Sequence, residues 1–427
     1  MVKYHAPRRG SLGFRRKRAR RIYPHIFSWP EVDRATLLGY PAYKVGMVSI
    51  LERNLLVGER ALWYNLERVV AATVLEAPPI RILGLRSYTA DPYGLKAFTE
   101  VWTPYFSKYE QKYLRRKLPL PNKSIKDLEE SMEEKIKLIE DAIDDGKIEE
   151  IRAIVRTSPN LTTIGKKKPE VLEIKIGGRP KEAFKWGLKR LGKFVRVFDV
   201  FEPGMFTDTI GVTKGKGFAG VVKRFGVTLL PPKSKKGRRK IGTLGPWTPG
   251  RIMWTVPRPG QLGFFRRTEF NKQIMALIPH WYKIRYNFPG EVSEDSEPYE
   301  LERIDALKLG ELKGIDDETK NAIIEKLDLK AKEKEKEVEI RSFALMVNPK
   351  GGWPHYGVIK NDIIILRGSC QGPPKRLIFL RYPVRPKALK KDINLLSVYY
   401  GRELLLGSED LSRVFGLISF LPKIQGF

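Results

Sequence analysis

The chain has 427 residues, 42% of them hydrophobic, enough for a core in two or three domains, yet 80 Lys and Arg against 49 Asp and Glu leave it at +31. Such a charge repels itself and calls for a polyanion, nucleic acid first and anionic membrane second. Cys370 is the only cysteine, which excludes disulfides and thiolate clusters; His5, His25, His280 and His355 are too scattered to pair as metal ligands; no apolar run reaches a membrane span.

Residues 1–25 hold nine Lys and Arg and no acid. They read either as a solvated tail or localisation signal, or as an arm that orders against phosphates, and the second is preferred. The segment has no apolar stretch behind its charges, so it is not a signal peptide, and an intracellular protein is expected. Tyr43–Ile50 is strand-like; Val69–Leu75 and Ile80–Leu85 read as two strands joined by the turn at Pro78-Pro79. Residues 123–156 read as helix, because Leu128, Met132, Ile136, Ile139 and Ile143 recur at three- and four-residue steps. Strands are expected at Val171–Ile176 and Phe194–Phe201, with a short helix near Lys181–Leu191 between them.

From Thr209 to Thr268 there is no acid, and there are fourteen Lys and Arg. Ordinary soluble surfaces mix both signs. Ile274–Tyr286 is mixed and aromatic. Residues 291–339 hold seventeen acids and nine bases, and the helix-like run before Asp145 is likewise acid-rich, so more than half of the 49 acids sit in two excursions from a basic body. His355–Arg367 and Arg376–Arg381 flank Gly368–Pro374 and read as a hairpin-like pair with a long loop. Residues 391–427 are partly apolar and carry no assignable pattern, and no internal repeat is evident.

Gly215-Lys-Gly217-Phe-Ala-Gly220 matches G-x-G-x-x-G, but no acid follows until Glu269 and the next residues are rich in Pro and Lys, so a dinucleotide site is rejected. These glycines instead let the backbone turn and approach another backbone, RNA being one candidate. Asp208 stands alone as an acid and is read as a turn cap or the partner of a nearby Lys rather than a general base. Trp247 lies in Gly245-Pro-Trp-Thr-Pro-Gly250 between two basic arms. It either folds back into a core or forms an aromatic tip that stacks on RNA; the charge around it favours the tip. Extended arms of eleven to sixteen residues would carry that tip about 35–50 Å out.

At these residues the sequence resembles the large-subunit ribosomal protein L-three family of the archaeal and eukaryotic type. Phe201, Asp208, Gly211, Thr213, Gly215, Lys216, Gly217, Gly220 and Arg224 fill the family pattern without a gap. His5–Gly13, Arg266–Lys272, Gly351–Gly357 and Lys360–Asp362 are also similar, and the likeness covers most of 1–290 and 345–388. Lys235 stands where the eukaryotic finger has a methylated His, and 291–339 and 391–427 depart from the pattern.

The resemblance implies a mainly β protein with α insertions (α+β): a six-stranded, translation-factor-like β-barrel carrying long extensions. The expected divisions are a basic N-terminal extension (1–35), barrel (36–96), helical insertion (97–165), barrel (166–224), a Trp-tipped basic finger (225–265), a barrel-linked segment (266–290), an acidic helical insertion (291–341), the last barrel strands (342–388) and a tail (389–427). The implied function is structural: binding large-subunit rRNA beside neighbouring ribosomal proteins in the cytoplasm, supporting early assembly, and reaching the peptidyl transferase centre with Trp247. No enzymatic activity, membrane contact, homo-oligomer or cofactor is implied beyond Mg²⁺ associated with the rRNA. The residues expected on RNA begin in the arm with Arg8, Arg9, Arg15, Arg16, Lys17, Arg18, Arg20 and Arg21. Lys214, Lys216, Lys223 and Arg224 follow at the glycine turn. The finger adds Lys233, Lys235, Lys236, Arg238, Arg239, Lys240, Trp247, Arg251 and Arg258, and Arg266 and Arg267 lie beyond it. An RNA-modifying enzyme and a DNA-binding chromatin protein are the alternatives.

Overall fold

The computed structural model describes residues 18–23, 26–53, 61–62, 64–114, 125–280, 282–284, 301–303, 347–386, 393–408 and 411–412. The N-terminal half runs β1 (Gly39–Arg53), β2 (Glu67–Ala77), β3 (Ile80–Asp91), β4 (Gly94–Trp102), α1 (Lys108–Leu114), α2 (Ile125–Asp144), β5 (Ile148–Arg156), β6 (Val171–Lys175), α3 (Pro180–Lys189) and β7 (Phe194–Val195). The C-terminal half runs β8 (Phe206–Val212), β9 (Gly215–Ala219), α4 (Val221–Phe225), β10 (Gly260–Gly263), β11 (Arg266–Ile278), β12 (Tyr282–Ile284), β13 (Leu301–Arg303), β14 (Asp362–Arg367), β15 (Leu377–Arg381), β16 (Asn394–Tyr400) and β17 (Glu403–Leu406). Strands dominate and helices are few, so the chain is mainly β in the α+β sense.

The larger sheet has the order β15-β8-β11-β14-β2-β1-β16-β17, and β15 also pairs with β1. The hydrogen-bonded ladder therefore returns to its start through six antiparallel strands. Runs such as Ile363-Ile-Ile-Leu366 and Leu377-Ile-Phe-Leu380 are buried along their whole length. β-branched and aromatic side chains suit this surroundings, since the stiff Cβ packs well on a pleated sheet. A second sheet has the order β4-β3-β5-β6, with β7 on β3. Two buried tyrosines of β1 tie the sheets together. The Tyr40 hydroxyl donates to the Pro78 carbonyl at 2.9 Å, and the Tyr43 hydroxyl donates to Glu170 Oε2 at 2.8 Å.

Several expectations are corrected. Helix ends at Asp144, and 148–156 is strand β5. Gly146 takes φ +70°, with Lys147 N–H on the Ala142 carbonyl and Gly146 N–H on that of Ile143, the paired bonds that stop a helix at a left-handed glycine. Beyond it Ile148, Ile151, Ala153 and Val155 turn inward on the second sheet. The two strands expected around Pro78-Pro79 are present as β2 and β3, and the turn sends them into different sheets, so they form no hairpin. Only Phe194 and Val195 of the expected 194–201 strand pair, because Val197–Asp199 coils into a 3₁₀ turn closed by the Arg196 N–H on Asp199 Oδ2 at 2.8 Å.

β14 and β15 are not a hairpin either. β14 lies between β2 and β11, β15 between β1 and β8, on opposite sides of the six-strand circuit. The Gly351–Gly357 stretch turns ahead of β14. Its loop is pinned by buried Glu76, which accepts from the Tyr356 hydroxyl, the Lys360 N–H at 2.9 Å and the Asn361 amide. The apolar tail begins as the β16–β17 hairpin, which extends β1. The acidic stretch 291–339, apart from 301–303, and residues 1–17 lie outside the described residues.

Candidate RNA interface

The glycine turn is built by β9 and β10. They pair Gly260 with Ala219, Gln261 with Phe218 and Gly263 with Gly215, with a register shift after Gln261. Gly263 is at φ +74°, and a Cβ there would stand 2.1 Å from the Lys214 carbonyl oxygen, so close approach is required, but to the chain's own backbone. Gly217, at φ +64°, has nothing within 4 Å of a Cβ position. Arg224 is half-buried and holds this base together: Nη1 donates to the Arg258 carbonyl at 2.7 Å and Nε to that of Gln261 at 3.1 Å. Its guanidinium is thus committed to the finger's own backbone, whereas Lys214, Lys216 and Lys223 are exposed.

Residues 226–259 leave this base and return to it without forming a strand. The extended arms read from the sequence are instead turns. Leu230 N–H bonds the Arg238 carbonyl at 3.1 Å, Arg238 Nε answers on the Leu230 carbonyl at 3.0 Å, and Lys240 Nζ donates to the Lys235 carbonyl at 3.0 Å. Proline and glycine density explains the missing ladder, since proline has no donor and glycine no side chain to pack. Lys233, Lys235, Lys236, Arg238, Arg239, Lys240, Arg251 and Arg258 are all exposed, and Trp247 is 96% exposed. Trp247 is therefore not a core residue.

The described end of the basic arm lies against the residues that lead into β11. Arg18 bridges to Phe265, and Ala19 N–H bonds the Phe264 carbonyl at 2.8 Å. Phe264 has Arg18 on it at 5.5 Å and Arg376 at 5.4 Å from the ring centroid, and Arg266 lies 4.0 Å from the centroid of Phe27. Burial lowers the Arg266 guanidinium from its ordinary value. Arg20 and Arg21 are exposed; Arg267 is half-buried, 5.5 Å from the Phe265 ring. Arg8, Arg9, Arg15, Arg16 and Lys17 lie outside the described residues. Exposed Phe218 and half-buried Arg376 lie at the same surface and were not among the residues expected there. The signal for Phe218 was a large aromatic inside an acid-free glycine-lysine run.

Three buried acids, Asp208, Asp362 and Glu110, serve arginines. Asp208 does not meet a nearby Lys. Its Oδ2 takes Arg381 Nη2 at 2.7 Å and the Val384 N–H at 3.1 Å, and Oδ1 takes the Asn271 N–H at 3.1 Å. Arg381 Nη1 donates to the Ser28 carbonyl at 2.6 Å, tying the arm's exit to β8 and β15. Asp362 grips Arg196 at 2.6 and 3.0 Å. Glu110 receives Arg81 at 2.5 Å and also Arg156, all three buried. Burial raises the Glu110 carboxyl, but Arg156 and Arg81 outweigh it and hold the group below its usual range. Burial pushes the Cys370 thiol up to about 11. Among the described residues, no three His, Cys, Asp or Glu gather as a metal site.

A β scaffold that pairs buried acids such as Asp208, Asp362 and Glu110 with its own arginines, and exposes an acid-free cationic segment, belongs to the class of basic scaffold proteins with surfaces suited to an anionic partner. The sequence profile described as "Ribosomal protein L3" matches residues 1–280 and 315–402. The chain is 39% identical over 396 residues to a large ribosomal subunit protein uL3 from Pyrobaculum aerophilum, covering 90% of this chain and 94% of that one. The protein of the same description from Methanocaldococcus jannaschii is 39% identical over 388 residues, 89% of this chain and 92% of its own length, and that from Archaeoglobus fulgidus 35% over 404 residues, 93% and 98%.

The chain therefore belongs to the ribosomal protein L3 family, non-enzymatic structural constituents of the large ribosomal subunit. The match extends further than the resemblance did. It takes in 315–344 and 389–402, and so β16, which the sequence reading set aside.

Proposed function

We propose that this chain binds large-subunit rRNA through its N-terminal arm and the segment 214–267, supports early subunit assembly, and reaches toward the peptidyl transferase centre with Trp247. As a ribosomal protein its place is the cytoplasm, among neighbouring large-subunit proteins. The six-strand circuit is best read as a closed barrel of the translation-factor type, acting as the anchor from which the finger extends. The observation that carries the reading is the exposure of every finger cation beside a 96% exposed Trp247, in a stretch with no acid from Thr209 to Thr268. Phosphates supply the missing counter-charge and release their own counterions on binding, so affinity falls with salt by a log–log slope of about −0.7 to −0.9 per contact.

Trp247→Ala tests the finger. The exposed indole packs on little of its own chain, so the variant should keep its thermal transition within about 1 °C, a surface change costing under about 0.5 kcal/mol. Large subunits assembled with it should elongate more slowly. Unfolding of the variant, or normal elongation, would falsify the finger reading.

A further inference from the structure

The Gly-Lys-Gly-Phe strand presents an aromatic ring that no packing on the scaffold explains. Phe218 sits on β9 in register with Gln261 of β10, yet its ring is 80% exposed. It is held there by built structure rather than left on a loose loop. The register shift across from Gly217 fixes the local turn, and Arg224 clamps β10 through the Gln261 and Arg258 carbonyls. Gly217 and Gly220, on either side, have open space where a Cβ would stand. The nearby Lys214, Lys216 and Lys223 are exposed, and no acid lies within the stretch.

A flat apolar ring with side-chain-free backbone beside it accepts a flat partner. Lysines around it require that partner to carry negative charge close to its plane. An apolar protein side chain meets the first condition and not the second; paired duplex RNA meets the second and offers no open base face. An unpaired nucleotide meets both. We propose that Phe218 is a base-stacking site for an unpaired rRNA nucleotide, with Lys214 and Lys216 on its phosphates. The site lies at the base of the finger, apart from Trp247, and rests on the RNA reading above.

The test uses the full chain and two probes, an eight-adenylate oligonucleotide and an RNA duplex of equal length, with binding followed by fluorescence anisotropy across a salt series. Phe218→Leu should bind the oligonucleotide about 5- to 150-fold more weakly, the range expected for one lost base stack. Its salt slope and duplex affinity should match wild type, and Phe218→Tyr should restore oligonucleotide binding. Phe218→Leu binding the oligonucleotide as wild type does overturns the stacking site alone. Wild type binding neither RNA overturns the RNA reading itself. Should Phe218→Leu fail to fold, ultraviolet cross-linking of native large subunits decides the matter. A nucleotide adduct on the tryptic peptide 217–223 is expected at Phe218, and its absence contradicts the site.

Discussion

Glu110 shows how a strongly basic chain keeps buried arginines. It opens α1, where the Ser107 N–H bonds Glu110 Oε2 at 2.9 Å and the Glu110 N–H bonds Ser107 Oγ at 3.3 Å, a capping box readable as Ser-x-x-Glu. The same carboxylate neutralises Arg81 and Arg156 inside the second sheet. Its folded-state value is depressed, so its contribution is present above the unfolded value of about 4.3 and is lost as pH falls through the folded value. Glu110→Gln leaves two guanidiniums buried without a counter-charge, and should cost about 3–5 kcal/mol at neutral pH by urea unfolding. It should also flatten the loss of stability below about pH 4. A variant as stable and as acid-sensitive as wild type contradicts this role. Neither this triad nor the Asp208–Arg381 pair was legible, because the partners lie 29, 46 and 173 residues apart and like types recur throughout.

At the scale of elements, local patterns gave what local physics decides. The β1, β2 and β3 cores and the short helix α3 are where the sequence places them, and α2 is found but stops at Asp144, short of the expected 156, where the left-handed Gly146 ends it and β5 begins. Pairing was not legible. β14 and β15 look like hairpin arms, but each finds better partners across the circuit, and nothing in Gly368–Pro374 states that. The finger arms failed as strands for a local reason that could have been weighed, their proline and glycine content. Their order depends instead on clamps such as Arg224. Arg224→Ala should open the finger base without reaching the core: limited proteolysis should cut within 226–259 several-fold faster while the main unfolding transition stays put. Unchanged cleavage would place the finger's order elsewhere.

For the whole molecule, the net charge of +31 is unevenly held. Buried acids such as Glu110, Asp208 and Asp362 pair with arginines at the joints between elements, while the lysines and arginines of 226–259 are exposed in a stretch that holds no acid. Composition made this asymmetry legible, since it needs only counting. Which face carries it was not, because that depends on β9 and β10 holding the segment off the scaffold.

The chain offers its own probe for the central claim. Cys370 is buried and its thiol pushed up to about 11, so in Trp247→Cys the new thiol is the one that reacts at neutral pH. An iron chelate tethered there in reconstituted large subunits should generate hydroxyl radicals that cleave rRNA at the peptidyl transferase centre. Cleavage confined to the subunit's outer surface, or none at all, would contradict the account.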